Sequence, residues 1–161
     1  MLCDEKAVMG LPIYIVVAII VAAAIIAVFS ISIHNIWIDS QIHQVECETD
    51  KIVSEAENMF EYADEGTMVT VHADFPSFLR FIVFGGLPVN SSFEPDNITL
   101  DENTSNNYYF VMNTGRIFTY HSNARFSGKN HNEIAIFHPG VYDLKLELIK
   151  EDNGRTYVKI Y

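Results

Sequence analysis

The sequence predicts an α+β protein in which a long N-terminal hydrophobic α-helix precedes an antiparallel β-sandwich. Three observations support this prediction. Residues 7–38 contain no Asp, Glu, Lys or Arg. An amphipathic helical pattern then continues to residue 65, and after Gly66 the hydrophobic period changes to the two-residue period of strands. We therefore assign residues 8–65 to one helix and 67–161 to one sheet domain.

The apolar part of the helix is long enough to cross a membrane. Residues 11–33 contain fourteen Ile, Leu, Val and Phe side chains, which favour membrane insertion by about 4 to 8 kcal/mol. A helix of 23 residues spans about 35 Å, against a hydrocarbon core of about 30 Å. Pro12 fits the first turn, where its missing N–H costs nothing. We assign residues 8–38 to this part.

Small residues recur in the apolar part at a spacing of four. They form two pairs, Ala18 with Ala22 and Ala23 with Ala27. Such pairs let helix backbones approach closely in a membrane. Alanine is also common in spanning helices, so a packing role and simple composition both account for the pattern.

The second part of the helix, residues 39–65, is amphipathic. Its apolar stripe consists of Ile38, Ile42, Val45, Ile52, Ala56, Met59 and Ala63, and its acidic face of Glu46, Glu48, Asp50, Glu55, Glu57 and Glu61. A striped helix of this kind is marginal alone in water. We therefore expect the stripe to pack on the sheet domain of the same chain, and Gly66 to end the helix.

Seven short segments after Gly66 have the pattern of strands. They cover residues 68–73, 78–84, 108–112, 116–120, 133–137, 141–149 and 155–161. Turn signals separate several of them, at Asn113-Thr114-Gly115, His138-Pro139-Gly140 and Asp152-Asn153-Gly154. The sixth segment alternates cleanly, with inward positions at Tyr142, Leu144, Leu146 and Leu148. This pattern predicts a sandwich of immunoglobulin-like size.

A polar, turn-rich segment at residues 88–107 predicts an exposed loop within this domain. Three Asn-x-Ser/Thr sequons lie in it, at Asn90, Asn97 and Asn103. Three sequons in one exposed loop predict N-glycosylation. A turn region rich in Ser, Thr and Asn explains the same pattern without any glycan.

The sequence carries no enzyme signature. It has no HExxH motif, no glycine-rich phosphate loop and no G-x-S-x-G. Two sets of polar side chains fall near predicted strand ends or in the loop, namely His121, His131 and His138, and Asp96, Asp101 and Glu102. We interpret both sets as scattered solvated side chains. The expectation is a protein that is not an enzyme, with no cofactor and no metal.

The charge of the chain is strongly acidic, at −11. Asp4, Glu5 and Lys6 contribute −1, which leaves −10 for the residues after the apolar part. An acidic exterior repels phosphates and so argues against nucleic acid or anionic lipid as a partner of the globular part. The two cysteines, Cys3 and Cys47, flank the apolar part and therefore face different compartments, so no internal disulfide is expected.

The start of the chain is unlike a secretory signal, which carries its cleavage site after the apolar core. Here a charged and a small residue, Lys6 and Ala7, come before the uninterrupted run that begins at Val8. This order resembles the class III signal peptide of archaeal type IV pilins and archaellins. The resemblance covers residues 4–33. Pro12 stands where archaellins have a glutamate, so the resemblance to pilins is the better one.

The resemblance implies a processing step and a fold. In that family a prepilin peptidase cuts on the cytoplasmic side of the membrane, after the small residue. This implies a leader at residues 1–7 that is cut between Ala7 and Val8, with Gly10 before Leu11 as an alternative site. The helix of such proteins packs with its copies in a filament core, and immunoglobulin-like sandwiches commonly follow it.

Two functions from different classes remain open. The first is a structural subunit of an archaeal type IV pilus-like surface filament for adhesion. Its partners are copies of itself, the prepilin peptidase and the pilus assembly machinery, and the membrane holds it before assembly. The alternative is a single-pass anchor that presents an extracellular binding module without forming filaments. In both cases Lys6, with no further base until Lys51, predicts a cytoplasmic N-terminus and a cell-surface domain. An anchored enzyme that uses the three histidines is a remote third function.

Overall fold

The computed structural model describes residues 5–88, 99–130, 132–151 and 154–161, with side chains from Ile13 onward. These residues form one helix, α1 (Glu5–Tyr62), and eight strands. The strands are β1 (Met68–Phe75), β2 (Leu79–Phe84), β3 (Asn107–Met112), β4 (Ile117–His121), β5 (Phe126–Ser127), β6 (Ala135–Phe137), β7 (Gly140–Lys150) and β8 (Thr156–Ile160). The chain divides into two units, Met1–Ser40 and Gln41–Tyr161.

Helix α1 ends three residues before the predicted position. The N–H of Ala63 still donates to the carbonyl of Met59 at 3.0 Å, and a turn follows. Gly66 adopts a φ of +84°, which favours glycine. Its N–H donates to the carbonyl of Leu148 at 2.8 Å, so the chain leaves the helix directly beside β7.

The strands form two four-stranded sheets. Their orders are β1-β7-β8-β5 and β4-β3-β2-β6, and every pair is antiparallel except β5 with β8. All seven predicted segments contain a strand, which confirms a long helix followed by a β-rich domain. The sequence analysis missed β5, because two residues are too few to show any hydrophobic period.

The immunoglobulin-like part of the prediction is not confirmed. In an immunoglobulin domain the first strand lies beside the second. Here β1 pairs with β7, and the edge strand β5 runs parallel to its neighbour β8. Aromatic contacts do connect the two sheets, since the rings of Phe84 in β2 and Phe126 in β5 lie 5.5 Å apart.

The two central strands of the sheet β4-β3-β2-β6, β2 and β3, are buried on both faces. One face carries a cluster of four buried side chains, covered by three partly buried isoleucines; these are Phe81, Val83, Tyr109 and Val111 with Ile117, Ile134 and Ile136. This double burial explains why the segment 78–84 reads as a continuous apolar run rather than an alternating one.

At its C-terminal end, the predicted exposed loop 88–107 includes residues that the structure places inside the domain. Ser105 is fully buried and Asn107 begins β3. The backbone N–H of Leu100 donates to the carbonyl of Asn132 at 2.7 Å, so this stretch is hydrogen-bonded to the segment before β6. Residues 89–98 lie outside the described part of the chain. Polar composition predicts a loop. It does not show that the last residues of this loop form backbone hydrogen bonds inside the domain.

The amphipathic stripe packs in the second unit, as predicted. Ile42, Val45, Ile52, Ala56 and Met59 are all buried. Thr49 and Val53 widen the stripe, and the Thr49 hydroxyl donates to the carbonyl of Val45 at 2.7 Å. Because 41–62 contributes these side chains, this stretch of α1 is part of the domain core.

Two of the predicted solvent-facing acids instead bind β4 and the turn after it. Glu46 Oε1 accepts a hydrogen bond from the Tyr120 hydroxyl at 2.9 Å. Glu57 Oε1 accepts from the Ser122 hydroxyl at 2.8 Å and the Asn123 backbone N–H at 2.9 Å. These glutamates flank the apolar stripe, and their long side chains reach back to donors that only the tertiary fold supplies.

The helix also covers the open edge of β1. Glu48 Oε2 lies 3.4 Å from the backbone N–H of Asp74, and Gln44 Nε2 donates to the Asp74 carbonyl at 3.3 Å. Unpaired edge groups are templates for unwanted strand pairing. Here helix side chains bind them at the end of β1.

Replacing Ile52 with alanine tests the buried stripe. Ile52→Ala leaves a cavity at a fully buried position, and we expect it to lower the free energy of unfolding of the domain by about 2–5 kcal/mol. The exposed neighbour Ser54 gives the control, since Ser54→Ala should change it by about 0.5 kcal/mol or less. Urea unfolding of the full chain in detergent measures both. Equal effects would contradict the packing described here.

The buried tyrosines predict alkaline destabilisation. Burial raises the pKa of Tyr109 to about 12, and burial followed by Asp50 and Glu57 raises the pKa of Tyr108 to about 12. In the unfolded chain tyrosine ionises near pH 10. Stability is therefore complete below pH 10 and falls as the pH rises from 10 to 12. Urea midpoints across this range should drop for the native chain and drop less for Tyr109→Phe.

Candidate membrane and assembly surface

The first unit exposes a continuous apolar surface. Every side chain of residues 13–37 is exposed, from Ile13 to Trp37. Within the described residues, α1 is the one helix that is long and apolar enough to cross a membrane. A monomeric soluble protein rarely exposes so large an apolar patch. An N-terminal helix of this kind is a candidate membrane anchor or signal sequence.

Water is a poor environment for this surface. Each large aliphatic or aromatic side chain gains about 1.5–3 kcal/mol when it is buried. The fourteen such residues of 11–33 therefore make full exposure cost tens of kcal/mol. Covering this surface is therefore strongly favourable.

Two aromatic residues bracket the apolar surface, a feature that the sequence analysis missed. Tyr14 and Trp37 are both exposed and lie 23 positions apart, which is about 35 Å along a helix. Tyrosine and tryptophan concentrate at the two headgroup regions of a bilayer. The separation matches that of a spanning segment, and the spacing was visible in the sequence.

Two polar side chains inside the apolar surface, Ser30 and Ser32, form hydrogen bonds with the backbone of the helix. The Ser30 hydroxyl donates to the carbonyl of Ile26 at 2.8 Å, and that of Ser32 to Val28 at 3.1 Å. Each hydroxyl thereby fills its donor capacity without an external partner. Their transfer into an apolar environment costs less as a result.

The small-residue pairs lie on two different sides of the helix. Ala18, Ala22, Ala23 and Ala27 are all exposed. At about 100° per residue, the second pair is rotated by about 140° from the first. The described structure brings no other element against either pair. Exposure alone does not test a packing role, which stays a prediction for both pairs.

The predicted cleavage residues lie in the first turns of α1. Lys6, Ala7, Val8, Gly10 and Leu11 follow the start of the helix at Glu5. Helical backbone at these positions does not test cleavage, and both sites stay predictions.

Of the three glycosylation candidates, Asn103 is described and exposed, while Asn90 and Asn97 lie outside the described residues. The third residue of its sequon, Ser105, is fully buried, and its hydroxyl donates to the carbonyl of Glu102 at 2.9 Å. Any glycan on Asn103 is therefore attached before this segment folds.

The described members of the two sets of candidate metal and catalytic side chains form no common site. His121 contacts Asn106 and Asn107, while His138 is exposed and His131 lies outside the described part. In the acidic set, Asp101 accepts from the backbone N–H of Asn103, Glu102 pairs with Arg155, and Asp96 is not described. Across the described ranges no group of three or more His, Cys, Asp or Glu side chains is placed to hold a metal ion.

One cleft lies beside the helical part of the second unit. It has a volume of about 140 Å³ and is lined by His43, Glu46, Cys47, Thr49, Asp50, Tyr108, Phe110 and Tyr120. Cys47 is exposed and its sulfur lies 3.6 Å from Nε2 of His43. Burial, followed by the hydrogen bond to Glu46, raises the pKa of Tyr120 well above its usual value. The hydroxyl therefore stays protonated and acts as a donor to the carboxylate.

Comparison with known proteins finds no matching family model, no matching curated protein and no matching solved structure. The function of this chain must therefore be inferred from its own residues.

A charge placed in the middle of the apolar surface tests whether it enters a membrane. Lysine at the centre of a spanning helix costs about 2.5–3.5 kcal/mol, a large part of the insertion free energy derived above. We expect Ile20→Lys to move much of the chain from the carbonate-resistant membrane fraction to the soluble fraction. Asn58→Lys, at an exposed position of the same helix, should have no effect. Equal membrane retention of both variants would contradict a membrane span.

Proposed function

We propose that this chain is a structural subunit of an archaeal type IV pilus-like surface filament that serves adhesion and assembles through the apolar part of α1. The observation that carries the proposal is the exposed apolar surface of residues 13–37, preceded by Lys6 and Ala7. The class III signal peptide has the same order, with a charged and a small residue directly before the helix.

The proposed mechanism has two stages. In the first, the cytoplasmic membrane solvates the apolar helix and holds the subunit, with Tyr14 and Trp37 at its two surfaces. In the second, the helix leaves the lipid and packs among copies of itself in a filament core. Since exposure to water costs tens of kcal/mol, removal from lipid requires that neighbouring helices replace it directly.

The arrangement of small residues supports a polymer rather than a closed pair. A helix inside a filament needs at least two different contact surfaces, because head-to-tail assembly uses non-identical patches. The pairs Ala18/Ala22 and Ala23/Ala27 provide two such surfaces on different sides of α1. Close approach at both is the kind of contact that small residues permit.

The sheet domain would form the outside of the filament. We infer that its two sheets act as a sandwich around a shared core, which the contact of Phe84 with Phe126 supports. The residues after the apolar part carry a charge of −10, and this charge and the exposed Asn103 suit a solvated, glycosylated surface. Lys6, with no basic residue after the apolar part until Lys51, supports an orientation with the N-terminus inside and this domain outside.

Maturation would require a prepilin peptidase that removes residues 1–7. The mature chain would then start at Val8, or at Leu11 if the alternative cut after Gly10 is used. The pilus assembly machinery completes the set of partners.

The second candidate function is a single-pass anchor that presents a binding module and forms no filament. The Tyr14 and Trp37 spacing favours a membrane span and is equally compatible with this function. The two functions differ in the final partner of the apolar helix, which is lipid for an anchor and other helices for a filament.

Analysis of native surface material tests the proposed function. We expect sheared filaments seen by electron microscopy to contain this chain, and intact-mass analysis to give a mature N-terminus at Val8 or Leu11. A chain that begins at Met1 and remains entirely in the membrane fraction would contradict a pilin and leave the anchor.

Enlarging one small residue separates assembly from membrane insertion. Ala22→Ile keeps the helix apolar but blocks close approach at that surface, so we expect normal membrane insertion and a strongly reduced filament yield. Val21→Ile adds a methylene next to it and serves as the matched control with near-native yield. Filament yield is measured by immunoblot of the sheared fraction. Equal yields for the two variants would argue against a packing role of the alanines.

A further inference from the structure

The cleft beside the helical part of the second unit brings together a thiol, an imidazole and two carboxylates. Cys47, His43, Glu46 and Asp50 all line it. These residues follow each other along α1 at spacings of three, one and three, so they lie on one side of the helix. All four belong to the second unit, as do the sheet residues that complete the cleft.

The thiol in this cleft is accessible. Cys47 is exposed and is the only cysteine of the second unit, because Cys3 belongs to the first. A cysteine without a partner in its own domain is either a small buried residue or a thiol that reacts with another molecule. The exposure of Cys47 argues for the second role.

A base lies next to this thiol. The sulfur of Cys47 is 3.6 Å from Nε2 of His43, which is within hydrogen-bond reach for sulfur. The thiolate is the nucleophilic form of cysteine, and a neighbouring imidazole that accepts the proton produces it. The second nitrogen of the ring, Nδ1, lies 3.8 Å from Oε2 of Glu46. This distance is too long for a hydrogen bond, but the carboxylate attracts the imidazolium that forms.

The sheet holds the carboxylate that faces the base. Oε1 of Glu46 accepts a hydrogen bond from the Tyr120 hydroxyl at 2.9 Å, which leaves Oε2 directed at His43. Cys47, His43 and Glu46 therefore have the order of an activated nucleophile, with a thiol, a base and a third group that orients the base.

The remaining lining of the cleft indicates what the thiol would react with. The rings of Tyr108, Phe110 and Tyr120 line it and stack on one another, with centroids 5.3 Å apart for Tyr108 and Tyr120. Such rings offer an apolar contact for methylene groups. Of the described residues that line the cleft, two are carboxylates and none is Lys or Arg. This charge favours a cationic group over an anionic one.

The size of the cleft limits the ligand to a small molecule. Its volume of about 140 Å³ holds several water molecules. A short chain with a sulfur at one end, methylene groups in the middle and an ammonium at the other end fits both this volume and the order of the lining groups. This is the structure of an aminothiol.

We propose that Cys47 is a modification site that reacts with a small cationic disulfide and then carries one aminothiol as a mixed disulfide. His43 accepts the thiol proton, and the sulfur of Cys47 attacks one sulfur of the disulfide. The bond between the two sulfurs of the reagent breaks while a new one to Cys47 forms. The leaving thiolate takes the proton and departs as a free aminothiol, so Cys47 is oxidised and the leaving half is reduced. This site goes beyond the proposed filament function and would be present in an anchor as well.

The role of the base is tested with a neutral disulfide, 2-hydroxyethyl disulfide, on the full chain in detergent. Cys3→Ser leaves Cys47 as the only thiol, and intact-mass analysis follows the mixed disulfide. General bases in enzymes contribute a hundredfold or more, so we expect His43→Gln to lower the rate constant at pH 7 by at least about tenfold. His72→Gln makes the same substitution at an exposed histidine of β1 and should leave the rate unchanged.

The pH dependence separates a base from a structural role. The titratable groups that line the cleft are His43, Glu46, Cys47 and Asp50 of α1, with Tyr108 of β3 and Tyr120 of β4. Free cysteine ionises near pH 8.5, so solvent replaces the base in alkaline solution. The rates of the native chain and of His43→Gln should therefore converge at pH 9.5. Equal rates of His43→Gln and His72→Gln at pH 7, or a deficit that persists at pH 9.5, would overturn the activation of Cys47.

The charge of the ligand is tested with two disulfides of similar size, the diamine cystamine and the dicarboxylate dithiodipropionate. Each rate constant is divided by that of N-acetylcysteine methylamide, a neutral model thiol. We expect the native chain to prefer cystamine by at least about fivefold, and Asp50→Asn to lower this preference about fivefold. Asp64→Asn, at an exposed position after the end of α1, is the matched control and should leave the preference unchanged.

Two results would overturn the cationic ligand. One is a native chain without preference between the two disulfides, and the other is an equal effect of Asp50→Asn and Asp64→Asn, which would assign the preference to total charge rather than to the cleft. All these measurements use purified chain, so their failure is distinct from an absence of filaments in native surface material.

Discussion

The exposed apolar surface of residues 13–37 is the constraint on which the rest of the molecule depends. Every side chain of this surface is exposed. Covering it is worth tens of kcal/mol, more than the net stability of a whole domain, which is about 5–15 kcal/mol. No local change in the sheet domain compensates for leaving it in water. Whether lipid or neighbouring helices cover it therefore distinguishes the two proposed functions.

The apolar stripe in the second part of α1 is covered by the chain itself. Its stripe enters the core of the sheet domain, and Glu46 and Glu57 add hydrogen bonds to Tyr120, Ser122 and Asn123. The domain thus occupies the apolar face of residues 41–62 and leaves that face unavailable to other partners. The two parts of one helix have different patterns. The first is apolar all round, and the second is apolar on the one face that is buried in the domain.

Much of the fold could be predicted from the sequence because the hydrophobic period distinguishes helices from strands. The charge-free run, the stripe to Met59 and the alternation along β7 each identified an element. The two-residue strand β5 has no period to detect. The roles of Glu46 and Glu57 depend on donors more than sixty positions away in the chain, so local reasoning placed them in solvent. Of the candidate site, the apolar surface and its alanines were predictable, and the spacing of Tyr14 and Trp37 was visible in the sequence but was not used.

The most direct measurement concerns what touches the middle of the apolar helix in native material. A photo-crosslinking residue in place of Ile20, activated in sheared cell-surface preparations, reports the immediate neighbours of that position. The proposed function predicts covalent ladders of this chain, two copies and longer. Products that contain lipid alone, with no chain-to-chain crosslinks in any surface fraction, would contradict it.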